Sequence, residues 1–331
     1  MISYLASRIV TILRWGLFAA AIMHISAVQA QDWPNARPIK LVVPGAAASS
    51  VDTVTRLFGL FLQTKLGANV VVENRPGALG AIAASYVAKA APDGYIFIMG
   101  AQDTQILLAL VNKNTQFSSK DFIPVAKISE ASLLIAATPK IPFDNVKDMI
   151  THAKLNPGRL SFASGGTGGI QHLSVEVVKN RANIDMLHVP YKSATDAANG
   201  FMASDVDLIS ASPTFLAPLI RQGKAKGIAI MREKRHPLLP NVPTFAEAGI
   251  PSLNVASWVG IFAPLNTPVE IVAKMSDSVM EFVNSPEMRP RLEATGQEPA
   301  AIPYIEFNKY MAAEWVKWEG VVKAARIESV N

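Results

Sequence analysis

The 331-residue chain is half hydrophobic and 17% charged, a balance that excludes an intrinsically disordered protein and supports a sizeable buried core. It contains no cysteine, so thiol catalysis, thiolate metal sites and disulfides are excluded. Its formal charge of +5 comes from scattered basic residues, which gives a mild attraction for anions but no nucleic-acid footprint.

Residues 1–30 read as a cleavable signal peptide. Arg8 and Arg14 precede an apolar run from Trp15 to Ile25, and Val28-Gln29-Ala30 offers small residues for cleavage. The run is interrupted by His24 and is shorter than the roughly 20 apolar residues of a membrane span. Export to the periplasm is therefore expected, leaving 29 basic against 26 acidic residues, or +3. Without disulfides, stability must come from burial and secondary structure.

Ile39 to Val43 predicts a first strand and Pro44 to Ser50 a turn. Val51, Val54, Leu57, Phe58, Phe61 and Leu62 then recur at helical spacing. Val70 to Val72 is the next strand, Asn74 to Gly77 a turn and Ala83 to Ala90 a helix closed by Ala91-Pro92-Asp93-Gly94. With the strand Tyr95 to Met99 this makes one β-α-β-α-β lobe. Asn145 should cap a helix from Val146 to Leu155, and Leu160 to Ala163 opens a second strand-loop-helix unit. Strands are predicted at Val206 to Ile209, Gly227 to Met231 and Val255 to Phe262, the last long enough to cross between lobes. Thr267-Pro268-Val269-Glu270 predicts a helix start with Thr267 as cap, Pro268 in the first turn and Glu270 reaching back, followed by a buried stripe of Ile271, Val272, Met275, Val279, Phe282 and Val283. The alternation predicts an α/β fold with largely parallel strands and no internal repeat.

Two segments lead from a strand through small residues into a helix, the arrangement that aims unpaired backbone amides at an anion. They are Pro44 to Asp52 and Ser164 to His172. Small side chains let a ligand reach the backbone, and the hydroxyls of Ser49, Ser50, Ser164 and Thr167 add donors. Two such loops facing one another could hold a dicarboxylate without a buried counter-charge. As ordinary connections, the same serines would merely cap helices, Asp52 would steady the first loop and His172 would close the second.

Enzyme templates are absent. There is no Gly-x-Ser-x-Gly elbow, phosphate loop or His-Glu-x-x-His, and the five histidines lack paired metal spacing. Gly166-Thr167-Gly168 begins a dinucleotide fingerprint, but Gln171 stands where its third glycine belongs. No catalytic residue, cofactor or metal is expected. His188 reads as a strand residue.

Several segments carry a family resemblance: Val71 to Ala78, Ala88 to Tyr95, His188 to Lys192, Asn241 to Thr244 and Trp258 to Pro264. In combination they resemble the Bug-type solute-binding subunits of tripartite tricarboxylate transporters, from about Trp33 to Ile327. The resemblance implies the type II periplasmic-binding-protein fold: two α/β lobes joined by crossing strands, with a cleft whose loops hold a ligand carboxylate. It implies a first lobe of residues 31–131 and 258–331 and a second of 132–257. It also implies hinge closure and delivery to the membrane subunits of a transporter; a monomer is expected.

Ala48, Ser49, Ser50 and Asp52 match the family's first binding loop, and Ser164, Gly165, Gly166, Thr167, Gly168 and His172 its second. Gln102, Gln105, Tyr191 and Ser212 are the remaining candidates for ligand walls or water anchors. Three departures stand out. Ala48-Ser49 replaces Gly-Gly, which should deny that loop positive φ. Gln105 and Leu108 replace a histidine and an asparagine, and Ala211-Ser212 replaces Asp-Asn. These changes imply either a ligand less polar than citrate, such as an aromatic or short aliphatic carboxylate, or a weakened site. Two other readings carry distinct expectations: ligand input to a periplasmic sensor, and a periplasmic hydrolase using the serines, aspartate and histidine of the cleft.

Overall fold

The computed structural model describes residues 33–112, 114–250, 253–325 and 327, so the leader 1–30 lies outside the described residues. Two sheets organise them. The first has β1 (Ile39–Val43) between β2 (Val70–Asn74) and β3 (Ile96–Ala101), followed outward by β10 (Ala256–Pro264), β4 (Phe122–Ser132) and β11 (Glu298–Ile302). The second runs β7 (Leu187–Pro190), β6 (Ser161–Ser164), β8 (Leu208–Ala211), β5 (Leu134–Ala137), β9 (Lys226–Ile230).

Central strands are apolar on both faces because helices cover both. On one face of the first sheet Ile39, Leu41 and Phe97 pack against α1 (Ser50–Leu66) and α8 (Val269–Asn284), with Phe58 edge-on to Phe282 at 5.3 Å. The other face carries Val42 and Ile98 against α2 (Ala81–Ala88) and α10 (Tyr304–Ala324). A short π-helical turn, Asp103–Leu107, leads from β3 into α3 (Leu108–Val111). Around the second sheet lie α4 (Val146–Leu155), α5 (Ile170–Ala182), α6 (Ala194–Ala203) and α7 (Pro213–Arg221), and α9 (Met288–Ala294) follows α8. No helix of the described residues is long and apolar enough to cross a membrane.

The chain passes between sheets at two touching points. β4 continues through Leu133 into β5; on the return, Met231 N donates to Leu133 O (2.8 Å) and Val255 N to Met231 O (3.1 Å) before β10 begins. These crossings overturn the expectation of largely parallel strands. Among the described residues the parallel strand pairs are β1–β2, β1–β3, β6–β7 and β6–β8, with one isolated parallel bridge between Ile230 and Thr244, and the strands that carry the chain across run against their neighbours.

Local signals hold where one physical cause dominates. Asn145 caps α4 by accepting from Asp148 N at 2.9 Å, and the predicted stripe on α8 is buried. The predicted Thr267 cap is corrected. Pro268 occupies the cap position of α8, and the Thr267 hydroxyl instead donates to Pro264 O at 2.8 Å, closing the turn that precedes the helix.

Candidate functional site

The strands β1, β3, β6, β7 and β8 end toward the space between the lobes, so the helices that follow them start there. The first loop leaves β1 at Pro44 and enters α1. Ser49 is its cap, its hydroxyl accepting from Asp52 N at 3.3 Å. Asp52 is only 2% exposed and fully engaged: it accepts from Ala48 N (2.8 Å), Arg56 Nε (2.9 Å) and Asn74 Nδ2 (2.9 Å). Burial pushes its pKa up, but the bonds from Arg56, Asn74 and Ala48 outweigh it and hold the carboxyl below its ordinary value. Asp52 thus steadies the loop from behind.

Ala48 sits at φ 64°, so the expectation that alanine here denies the loop positive φ is overturned. The hydrogen bond its backbone N–H donates to Asp52 holds the left-handed conformation, which costs about 1–2 kcal/mol. The amides of Ser50 and Val51 open α1 and have no acceptor within the helix.

The second loop holds itself. Gly165 N donates to Gln171 Oε1 (3.0 Å), Gly166 N to Ser164 Oγ (3.2 Å) and Gly168 N to His172 Nδ1 (3.0 Å). Gly166 and Gly168 lie at φ 140° and 84°, and a side chain on Gly168 would collide with Val111. His172 stacks on His188 with ring centroids 3.7 Å apart, and both lie against Phe162. Burial, then the charge of His172, lowers the His188 pKa to about 4, so the ring is neutral at pH 7.

His188 Nε2 lies 2.7 Å from Ser164 Oγ, a serine–histidine contact that bears on the hydrolase reading. Ser164 is 0% exposed and its hydroxyl also bonds Gly166 O at 2.9 Å. The contact fastens the loop and offers no nucleophile to the cleft.

Two adjoining chambers, of about 470 and 480 Å³, occupy the space between the loops. The first is walled by Gly45, Ala46 and Ser49, by Gly77 to Gly80, and by Gly165, Gly166, Lys192 and Ser193. The second takes Ser50 and Ser212 together with the apolar Leu133, Met202, Ile209 and Phe215. Of the candidates read from the sequence, Ser49, Ser50, Gly165, Gly166 and Ser212 line these walls. Ser212 also caps α7.

The others do not line the chambers. Gln102 is fully buried and donates to Glu314 Oε2 at 2.9 Å; Gln105, 2% exposed, packs against Gly100. Tyr191 lies over Gly200 on α6, where any side chain would displace it. Asp52, Ser164, Gly168 and His172 are consumed within their loops, and neither Ala48 nor Thr167 borders a chamber.

Sequence reasoning passed over Asp103, which lines both chambers and whose Oδ1 accepts from Ile170 N, the first amide of α5, at 2.7 Å. Burial raises its pKa to about 6, the bond from Ile170 opposing the rise. It remains partly exposed because it faces the chambers. The available signal was its position at the carboxyl end of a parallel strand, where α/β folds place ligand contacts. Among the described residues no group of acidic or histidine side chains is arranged to hold a metal.

Residues 54–327 match the family described as the tripartite tricarboxylate transporter family receptor. BugT of Bordetella pertussis is 29% identical over 314 residues, spanning 93% of this chain and 95% of its own. Rpa4515 of R. palustris, solved with adipate, is 33% identical with a TM-score of 0.82, covering 90% of this chain and 100% of that one. MatC of Rhodopseudomonas palustris, solved with malate, is 30% identical with a TM-score of 0.76, covering 88% and 100%. The architecture is that of the periplasmic binding proteins, with two α/β lobes around a cleft. BugD, described as a periplasmic binding protein, is 29% identical with a TM-score of 0.77. The chain belongs to the tripartite tricarboxylate transporter receptor family.

Proposed function

We propose that the protein is an exported solute-binding protein that captures a small organic carboxylate between its lobes and delivers it to the membrane subunits of a tripartite tricarboxylate-type transporter. In this reading the leader 1–30 directs it to the periplasm, and lobes of 31–131 with 258–331, and of 132–257, close over the ligand. A ligand bridging both lobes favours the closed form, which the membrane subunits recognise.

One observation carries the reading. Loops that open helices of opposite sheets, Ser49 and Ser50 at α1 and Gly165 and Gly166 before α5, wall a single cleft. Helix-opening amides favour an anion, and charge-assisted hydrogen bonds of about 1.5–3 kcal/mol each suffice to orient it. The apolar wall of Leu133, Met202, Ile209 and Phe215 favours an aromatic or aliphatic body over citrate. The two structural relatives were solved with small carboxylates, adipate and malate.

A thermal-shift screen across citrate, C4 dicarboxylates, adipate and aromatic carboxylates tests it, since a ligand that prefers the folded state raises the melting temperature. Hits among the less polar acids are expected. Preferential tight binding of citrate overturns the assignment of ligand polarity, and no response to any carboxylate overturns the reading as a whole. Loss of uptake of the bound acid on deleting the protein is the expected sign of the transporter partnership.

A further inference from the structure

Asp103 stands where the two chambers meet, sharing both walls with Ile170, Gln171, Ala194 and Thr195. It comes from the end of β3 in the first lobe, and its bond to Ile170 N reaches the head of α5 in the second. That helix has no side-chain cap of its own, since Gly169 is its cap residue. The chain therefore supplies an anion to the helix start that would otherwise draw one from a ligand. Gly165, Gly166 and Gly168 have already given their amides to Gln171, Ser164 and His172.

A carboxylate placed beside Asp103 meets a like charge in a partly desolvated cleft. Lys192, at the loop before α6, is the one other ionisable side chain on these walls among the described residues; it is exposed and borders only the first chamber. Burial raises the Asp103 pKa to about 6 and the bond from Ile170 opposes the rise, so the group is ionised at pH 8. The opening of α1 offers the amides of Ser50 and Val51 to a first carboxylate, and Asp103 offers an acceptor.

We infer that Asp103 sets specificity in this cleft: the preferred ligand carries one carboxylate for the α1 side and a hydrogen-bond donor (hydroxyl, amide or ammonium) that faces the Asp103 carboxylate, and a second carboxylate at that point is rejected. The inference rests on the carboxylate reading above and deepens it. Rejection follows from like-charge juxtaposition, and selection from a charge-assisted bond.

Calorimetry at pH 8 with adipate and 6-hydroxyhexanoate, which match in length and differ at one end, tests it. The unaltered protein is expected to bind 6-hydroxyhexanoate about tenfold more tightly than adipate. Asp103→Asn keeps an oxygen for Ile170 N and removes the charge, and it should narrow the gap to within about threefold by gaining adipate affinity. Asp103→Ser serves the same purpose if the asparagine variant does not fold. Tighter binding of adipate by the unaltered protein, or a ratio unmoved by either substitution, overturns the inference. Binding of citrate or malate with no binding of either probe also overturns it while leaving the carboxylate reading intact. No binding of any carboxylate overturns that reading and the inference together.

Discussion

The two loops that wall the cleft do the same job in opposite ways. Pro44 to Ser50 is held from behind by one buried carboxylate, Asp52, which tolerates a left-handed alanine and leaves the first amides of α1 unengaged. Ser164 to Gly169 places glycine where φ must be positive and turns its amides inward onto Ser164, Gln171 and His172, while the following Ile170 N donates to Asp103. The first loop is a donor surface with external support. The second is a self-satisfied scaffold, so ligand grip should be unequal across the cleft.

The largest expected effect lies in the second loop. A Cβ on Gly165 would stand 2.5 Å from Ala194 N and 2.9 Å from Ala194 Cα, so the start of α6 must move. Gly165→Ala should cost about 2–4 kcal/mol in urea unfolding, and a cost below about 1 kcal/mol would show that this loop yields readily. In the first loop Asp52→Ala strands Asn74, Arg56 and the Ala48 amide, with an expected loss of about 2–3 kcal/mol.

The two carboxylates should also respond to pH with opposite sign. The folded pKa of Asp52 is lowered, so its contribution is present above about pH 4 and lost as pH falls through the folded value. That of Asp103 is raised to about 6, so its contribution is present below about pH 4 and lost as pH rises through 6. Asp103→Asn should therefore stabilise the protein at pH 8 by up to roughly 2 kcal/mol and give no gain at pH 4; equal melting shifts at both values would contradict the assignment.

The smallest effect tests backbone strain. Ala48→Gly should stabilise by about 0.5–1 kcal/mol, the relief of the left-handed alanine being partly offset by the unfolded-state entropy of glycine. A destabilised variant would mean that Ala48 makes compensating contacts.

Much of this was legible from residues alone, and the pattern of success is physical. The two strand-loop-helix units, the Asn145 cap and the buried stripe of α8 depend on neighbours within a few positions, so composition and spacing reveal them. Strand direction was misread because it depends on where the chain crosses between sheets, which no local period records. Gln102 and Tyr191 look like cleft residues by position; they meet partners on α10 and α6, and neither lines a chamber.

Local chemistry thus fixed the elements, the capped helix starts and the placement of small residues at two turns, since each follows from backbone sterics and hydrophobic periodicity. Assembly settled which amides remain available and put Asp103 against a helix 67 residues away. The reason is that hydrogen-bond satisfaction in a cleft is a property of surfaces brought together by folding, and a sequence window contains only one side of each pair.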